Sequence, residues 1–202
     1  MSQPFVGVIY STREGHTAKI AARIASKFHS LGFSAGLFNL KVESVLIDLT
    51  SFQAVVLAAS VHAGHHEPEM VEFVRKHIAQ LEHLPTSFVS VTLSEAGAER
   101  SSATPEQRAG FEADVHRVID AFLKETGWHP KHIKPVAGAL PYSKYNFLVR
   151  FIMKRIARKS GGDTDTSRDY DYTDWDGLDN FVGELAEEFS RGGAPPILSL
   201  ES

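Results

Sequence analysis

The segment Ala54-Val55-Val56-Leu57-Ala58-Ala59 carries no polar side chain at odd or even positions. This excludes most of what such a chain can fold into. A strand with one face in water alternates apolar and polar residues, whereas one that is apolar throughout needs cover on both faces, as in the centre of a parallel sheet. Further apolar runs lie at about 4–10, 33–39, 86–93 and 132–139, and the spacing between them turns helical at about 16–31, 68–83, 106–126 and 175–190. In the first of these helices Ile20, Ile24, Phe28 and Leu31 form the apolar face, and Gly32 follows as a stop. Repeated strand–helix units of this kind predict an α/β doubly wound fold with a five-stranded parallel sheet. Ligands of such sheets bind outside the carboxyl ends of the strands, where the strand order reverses. The informative loops are therefore 11–17, 60–67 and 94–105.

The first of these loops lies in Tyr10-Ser11-Thr12-Arg13-Glu14-Gly15-His16-Thr17, between the first strand and the first helix. A loop so placed aims backbone N–H groups and the positive end of a helix dipole at one point, which favours a phosphate. It has neither the lysine of a nucleoside-triphosphate loop nor the three glycines of a dinucleotide loop. A terminal monophosphate remains, held by backbone N–H groups and the hydroxyls of Ser11, Thr12 and Thr17. The same residues would also serve simply as turn and N-cap residues.

The second loop, Ser60-Val61-His62-Ala63-Gly64-His65-His66-Glu67, invites a zinc hypothesis through its three histidines. Their spacing matches neither H-E-x-x-H nor a Cys/His finger, and the chain has no cysteine, so no metal is expected. A loop facing a cofactor fits better, with Gly64 allowing close backbone approach and His62 or His65 toward a ring or substrate. Those two histidines are the candidate catalytic residues. The third loop, from Ser94 to Pro105, is small and polar and suits the opposite wall of the same site.

With 202 residues, 43% of them hydrophobic and 23% charged, the chain is expected to form one soluble domain over 1–190, with 191–202 as a flexible tail. Without cysteine, any redox chemistry needs a bound cofactor. No apolar run reaches bilayer length and the N-terminus does not read as a leader, so the expected place is the cytoplasm. No nucleic-acid partner is expected. The net charge of −4 conceals an asymmetry: residues 144–159 carry only positive charge, while 163–188 are almost wholly acidic. Residues 145–158 predict an amphipathic helix with Tyr145, Val149, Ile152, Met153 and Ile156 on its aliphatic stripe. Its other half mixes Arg150, Lys154, Arg155 and Arg158 with Phe147 and Phe151. Aromatics among cations suit an anionic membrane surface, a flat hydrophobic ligand bearing carboxylates, or burial of the rings in an oligomer interface or under the adjacent loop. The whole of 140–173 exceeds a minimal strand–helix repeat and reads as an insertion.

Taken together these segments resemble the flavodoxin superfamily. The match extends to one branch, the menaquinone-dependent protoporphyrinogen IX dehydrogenases. It rests on Tyr10 to Thr17, Ala59 to His65, Phe73 to His77, Val136 to Leu140, Lys159-Ser160-Gly161-Gly162-Asp163-Thr164-Asp165-Thr166 and Tyr172-Thr173-Asp174-Trp175, and it spans about residues 5–190. The first motif is common to flavodoxins; the last two are far more specific. The resemblance implies strand order 2-1-3-4-5, an FMN cofactor, and Ser11, Thr12, Arg13, Glu14, Gly15, His16 and Thr17 around its phosphate. It further implies that Ser60, Val61, His62, Ala63 and Gly64, with Thr92, Leu93, Ser94 and Gly97, flank the isoalloxazine. The implied substrate is protoporphyrinogen IX or a similar flat molecule, and the implied acceptor a membrane quinone. Residues 140–173 match the family's insertion, with Phe147, Arg150, Phe151, Lys154 and Arg158 as substrate or membrane contacts at the inner face of the cell membrane.

Two departures accompany the match. The family's second loop reads Arg-Tyr-Gly-His where this chain has His62-Ala63-Gly64-His65, and its third loop is more basic than Ser94-Glu95-Ala96-Gly97. Loss of the aromatic implies altered flavin stacking, and fewer cations imply a weaker hold on an anionic substrate. The rival readings are a long-chain flavodoxin electron carrier, an FMN-dependent quinone reductase with another substrate, and a domain that has lost its flavin.

Overall fold

The structure is a computed structural model that describes residues 5–43, 47–144, 151 and 163–191. Five long parallel strands form its sheet: β1 (Phe5–Ser11), β2 (Ser34–Asn39), β3 (Ala54–His62), β5 (Thr86–Thr92) and β6 (His132–Ala137). Their spatial order is β2-β1-β3-β5-β6, which is 2-1-3-4-5 when only the long strands are counted. Two details go beyond the sequence expectation. A two-residue strand, β4 (His65–His66), pairs antiparallel with the end of β3, and β7 (Ala139–Leu140) pairs with β8 (Tyr170–Asp171) as a separate ribbon.

The central strand is apolar on both sides because it is covered on both sides. Val56 and Ala58 of β3 join Val6, Val8, Val89 and Val91 beneath α1 (His16–Ser30) and the last helix, α6 (Trp175–Arg191). Val55, Leu57 and Ala59 face the other way and pack with Phe88 and Trp128 under α3 (Pro68–Leu81) and α5 (Pro105–Thr126). The parallel register is continuous, with Val8 opposite Leu37 on one side and Val56 on the other.

Local chemistry sets the helix ends. Gly15 precedes α1 at φ 92°, and Gly32 follows it at φ 86°, the left-handed conformation in which glycine has no Cβ penalty. Leu31, expected on the buried face, is 43% exposed because it lies at that C-cap. Helix α5 begins with Pro105 behind a reciprocal Thr104–Gln107 capping box and ends at Gly127, also left-handed.

Two expected loops contain regular structure. Within 94–105 the chain forms α4 (Leu93–Glu99), started by the Thr92 hydroxyl accepting from the Ser94 N–H at 3.1 Å. Small residues obscured this helix to periodicity, yet Gly97 is small for a packing reason: a Cβ there would stand 2.7 Å from the Phe111 ring. Within 60–67, strand β3 continues to His62 and turns back at once. The basic run expected as a helix at 145–158 lies outside the described residues, as do Phe147, Arg150, Lys154 and Arg158; Phe151 is 54% exposed. The tail beyond Arg191 also lies outside them.

Candidate functional site

The loops after β1, β3 and β5 all lie at the carboxyl end of the sheet, around the reversal of order between β1 and β3. In the first loop the Gly15 N–H donates to the Thr12 hydroxyl at 3.0 Å. That hydroxyl therefore keeps its own proton for another acceptor. Helix α1 has no side-chain cap and no acidic residue in its first turn, so its N–H groups and positive dipole end are uncompensated there. Thr17 is 1% exposed, and its hydroxyl has no hydrogen-bond partner among the described residues. Enclosing a polar group in this way costs about 1–3 kcal/mol, and a phosphate oxygen at the loop would supply the missing acceptor. The residues present thus fit an anion with several oxygens.

Arg13 and Ser11 are engaged elsewhere. Arg13 Nε lies 3.3 Å from Glu67 Oε1 and Ser11 donates to Glu69 at 3.2 Å. Glu67, whose side chain is 1% exposed, is a junction of the site: Ser60 donates to it at 3.3 Å and Lys41 stands 3.7 Å away. One buried carboxylate therefore joins the first loop, the end of β3 and the short helix α2 (Leu40–Glu43). Sequence reasoning missed it although it closes the second loop, because Glu before a proline reads as an ordinary helix entry.

The second loop is a tight hairpin. His62 pairs with His65, and between them Ala63 has φ 50° and Gly64 φ 83°. Two successive positive φ values describe a type I′ turn. His62, Ala63 and His65 are exposed, while His66 turns inward and is 5% exposed. Its Nε2 lies 2.9 Å from Ser90 Oγ, and its ring packs on Phe88 and Phe122. Burial lowers its pKa to about 4, so it is neutral at physiological pH. The three histidines therefore do not converge, and among the described residues no group of three or more His, Asp or Glu could hold a metal ion.

The third loop meets the insertion. Gly138 N–H donates to Thr92 O at 3.0 Å, and Leu93 packs against Leu140 and Tyr142. Ser94 and half-buried Glu95 lie on the first turn of α4, where burial raises the Glu95 pKa above the usual range. Gly97 is spent on Phe111, as its close approach to that ring requires.

The described parts of the insertion are held by tyrosines and by the acidic motif. Tyr142 is fully buried and donates to the Asp163 carbonyl at 2.9 Å, while Tyr172 donates to the Asp163 carboxylate at 2.8 Å. Tyr170 stacks on Tyr172 with ring centroids 6.1 Å apart. This arrangement reaches the first loop at two points. His16 Nε2 lies 2.7 Å from Thr173 Oγ1 and 3.6 Å from Asp171, and Lys144 donates to Glu14 O at 2.6 Å. Burial depresses the His16 pKa, Asp171 partly opposes this, and Lys19 and Lys144 add to it. Neither Lys144 nor Thr173 carries a signal in the sequence that would pair it with a loop more than a hundred residues away.

Among the described residues no helix is long and apolar enough to cross a membrane.

Comparison with known proteins agrees with this geometry. The family model described as a flavodoxin domain matches residues 7–167. The chain is 34% identical over 180 residues to protoporphyrinogen IX dehydrogenase (quinone) of Escherichia coli strain K12, covering 89% of this chain and 93% of that protein. It is 28% identical over 187 residues to the protein of the same name from Leishmania major, covering 89% of this chain and 73% of the other. Among solved structures, the rubredoxin oxygen:oxidoreductase of Desulfovibrio gigas aligns over 96% of this chain and 38% of its own, with TM-score 0.51 and 12% identity, a likeness of fold. The chain belongs to the flavodoxin-domain family and, within it, to the group of proteins named protoporphyrinogen IX dehydrogenase (quinone).

Proposed function

We propose that this protein is an FMN-dependent dehydrogenase that oxidises protoporphyrinogen IX to protoporphyrin IX in haem synthesis and delivers the electrons to a membrane quinone. The observation that carries the proposal is the uncapped N-terminus of α1 with the partnerless Thr17 hydroxyl, at the strand-order reversal of a chain in this family. Doubly wound sheets bind their ligands at such a reversal, which supports FMN there.

FMN supplies redox chemistry that no cysteine-free side-chain set provides, namely acceptance of electron pairs from the reduced tetrapyrrole and their release to a quinone. The protein binds and orients. Thr12, Gly15, His16 and Thr17 hold the phosphate end, with Ser11, Arg13 and Glu14 beside it. Ser60 to Gly64 and Thr92, Leu93, Ser94 and Gly97 form the loops beside the ring, and exposed His62 and His65 are candidates to take protons released by the substrate. The basic run 144–159 offers cations to the substrate propionates and to an anionic membrane surface, with Phe147 and Phe151 entering the headgroup region. On this reading the protein works peripherally at the inner face of the membrane.

An electron-carrier role draws on Glu95 and Glu99, which are acidic residues near the site. The two readings separate in one experiment. FMN-loaded protein mixed anaerobically with protoporphyrinogen IX is expected to lose flavin absorbance as porphyrin appears. A flavin that stays oxidised would overturn the dehydrogenase.

A further inference from the structure

The first loop lacks the lysine that nucleoside-triphosphate loops carry, and the insertion places one beside it. Lys144 ends a short turn, Tyr142–Lys144, anchored through the two residues before it. Tyr142 is buried and tied to Asp163, and Ser143 donates to the two Asp169 oxygens through its N–H at 2.8 Å and its hydroxyl at 2.6 Å. The ammonium so presented donates to Glu14 O at 2.6 Å and stands 3.3 Å from where a Cβ of Gly15 would be. It therefore sits over the N-cap residue of α1.

That position is electrostatically odd. A helix N-terminus carries partial positive charge and is stabilised by anions, yet this one has no acid in its first turn and faces an ammonium. Lys19 adds positive charge, and both lysines help to depress the His16 pKa. Of the carboxylates nearby, Asp169 accepts from Ser143 while its charge also faces Lys144 and Lys19, and Asp171 lies on the His16 side. Independently, the enclosed Thr17 hydroxyl in the same first turn has no acceptor. An anion placed between Lys144, Thr17 and the free N–H groups would satisfy all three.

We infer that Lys144 is a ligand of the flavin 5′-phosphate, a cation delivered by the insertion to complete a loop that has none of its own at that point. An ammonium has three N–H donors and one is used by Glu14 O, so two remain for phosphate oxygens. This rests on the flavin reading and adds to it a residue that distinguishes FMN from unphosphorylated riboflavin.

The test compares the affinities of the apoprotein for FMN and for riboflavin by quenching of flavin fluorescence, in the parent and in Lys144→Met, Lys144→Gln and Lys144→Arg. In Lys144→Met and Lys144→Gln the dissociation constant for FMN is expected to rise about tenfold, the loss of one charge-assisted hydrogen bond. That for riboflavin should stay the same, and Lys144→Arg should recover most of the loss. Inorganic phosphate should compete with FMN more weakly in Lys144→Met than in the parent. Equal weakening toward both flavins would overturn the inference by making Lys144 a support of the loop alone. Unchanged FMN binding would also overturn it while leaving the flavin reading intact. A parent protein that binds neither flavin would remove both.

Discussion

His16 Nε2 lies 2.7 Å from Thr173 Oγ1, and that hydroxyl spends its own proton on the Ala137 carbonyl at 2.9 Å. The imidazole must therefore be the donor, which sets its tautomer. One hydrogen-bonded chain thus runs from the first loop through the base of the insertion to the end of β6. Thr173→Val removes both links and leaves a buried carbonyl without its partner. The expected loss is about 1–3 kcal/mol of folding stability, with weaker FMN binding through the loosened loop. Urea unfolding and flavin titration of the same variant check both.

His66 makes stability depend on pH with a defined sign. Its pKa is about 4 in the folded protein against an ordinary 6.5. Between these values the unfolded chain holds a proton that the native protein does not, so stability falls as pH drops from about 6.5 to about 4. The full effect approaches about 3 kcal/mol, because each tenfold loss of proton affinity on folding is worth ~1.4 kcal/mol. His66→Gln, which keeps a polar partner for Ser90, should flatten the urea midpoint across this range. An unchanged slope would assign the dependence to other groups.

Ala63 is the one non-glycine residue with positive φ among the described residues. Asparagine tolerates that conformation and is favoured in type I′ turns. Ala63→Asn should stabilise the protein by about 0.5–1 kcal/mol, seen as a higher melting temperature. Ala63→Tyr supplies the aromatic of the family pattern at the same tip. It should change the absorbance and reduction potential of bound FMN without a comparable gain in stability, which a spectroelectrochemical titration reads directly.

Glu67 pairs with Arg13 and shares Lys41 with Glu69 beneath the candidate site. Glu67→Gln should act in opposite directions on two measurements. Loss of a buried anion held by cations should lower the stability of the apoprotein by about 1–2 kcal/mol. Release of Arg13, while Lys41 keeps Glu69, should tighten FMN binding roughly fivefold, or about 1 kcal/mol. Riboflavin affinity serves as the control and is expected not to rise.

The charge asymmetry is tested with Arg150, Lys154 and Arg158 all changed to Glu. Loss of co-sedimentation with vesicles containing anionic lipid is the expected outcome. Retained binding would direct the basic run to the substrate or to another copy of the chain.

The architecture was legible in the sequence because burial on both faces leaves a direct mark. Ala54 to Ala59 has no polar position, and the strand it forms is covered by helices on either side. The first loop was legible as well, since Gly15 and the hydroxyls around it follow from strand, turn and helix in succession. Helix α4 was not, because Gly97 is small for its close approach to Phe111, and it and its small neighbours carry no helical period. Nor was the hairpin at Ala63, where the I′ turn holds an alanine in place of the usual asparagine.

What the sequence determined by itself was local and periodic: five strands, their helices, a glycine-closed loop between the first strand and the first helix, and a segment too long for the repeat. The tertiary structure decided what that segment touches. Lys144 reaches Glu14 across 130 positions and Thr173 reaches His16 across 157, and neither pairing follows from propensity or spacing. Such contacts depend on where the fold brings two segments, because the chain leaving β8 at Thr173 returns against His16 at the start of α1. The physical reason is that periodicity reports the burial of each element, whereas charges and hydroxyls find partners only after the elements are placed.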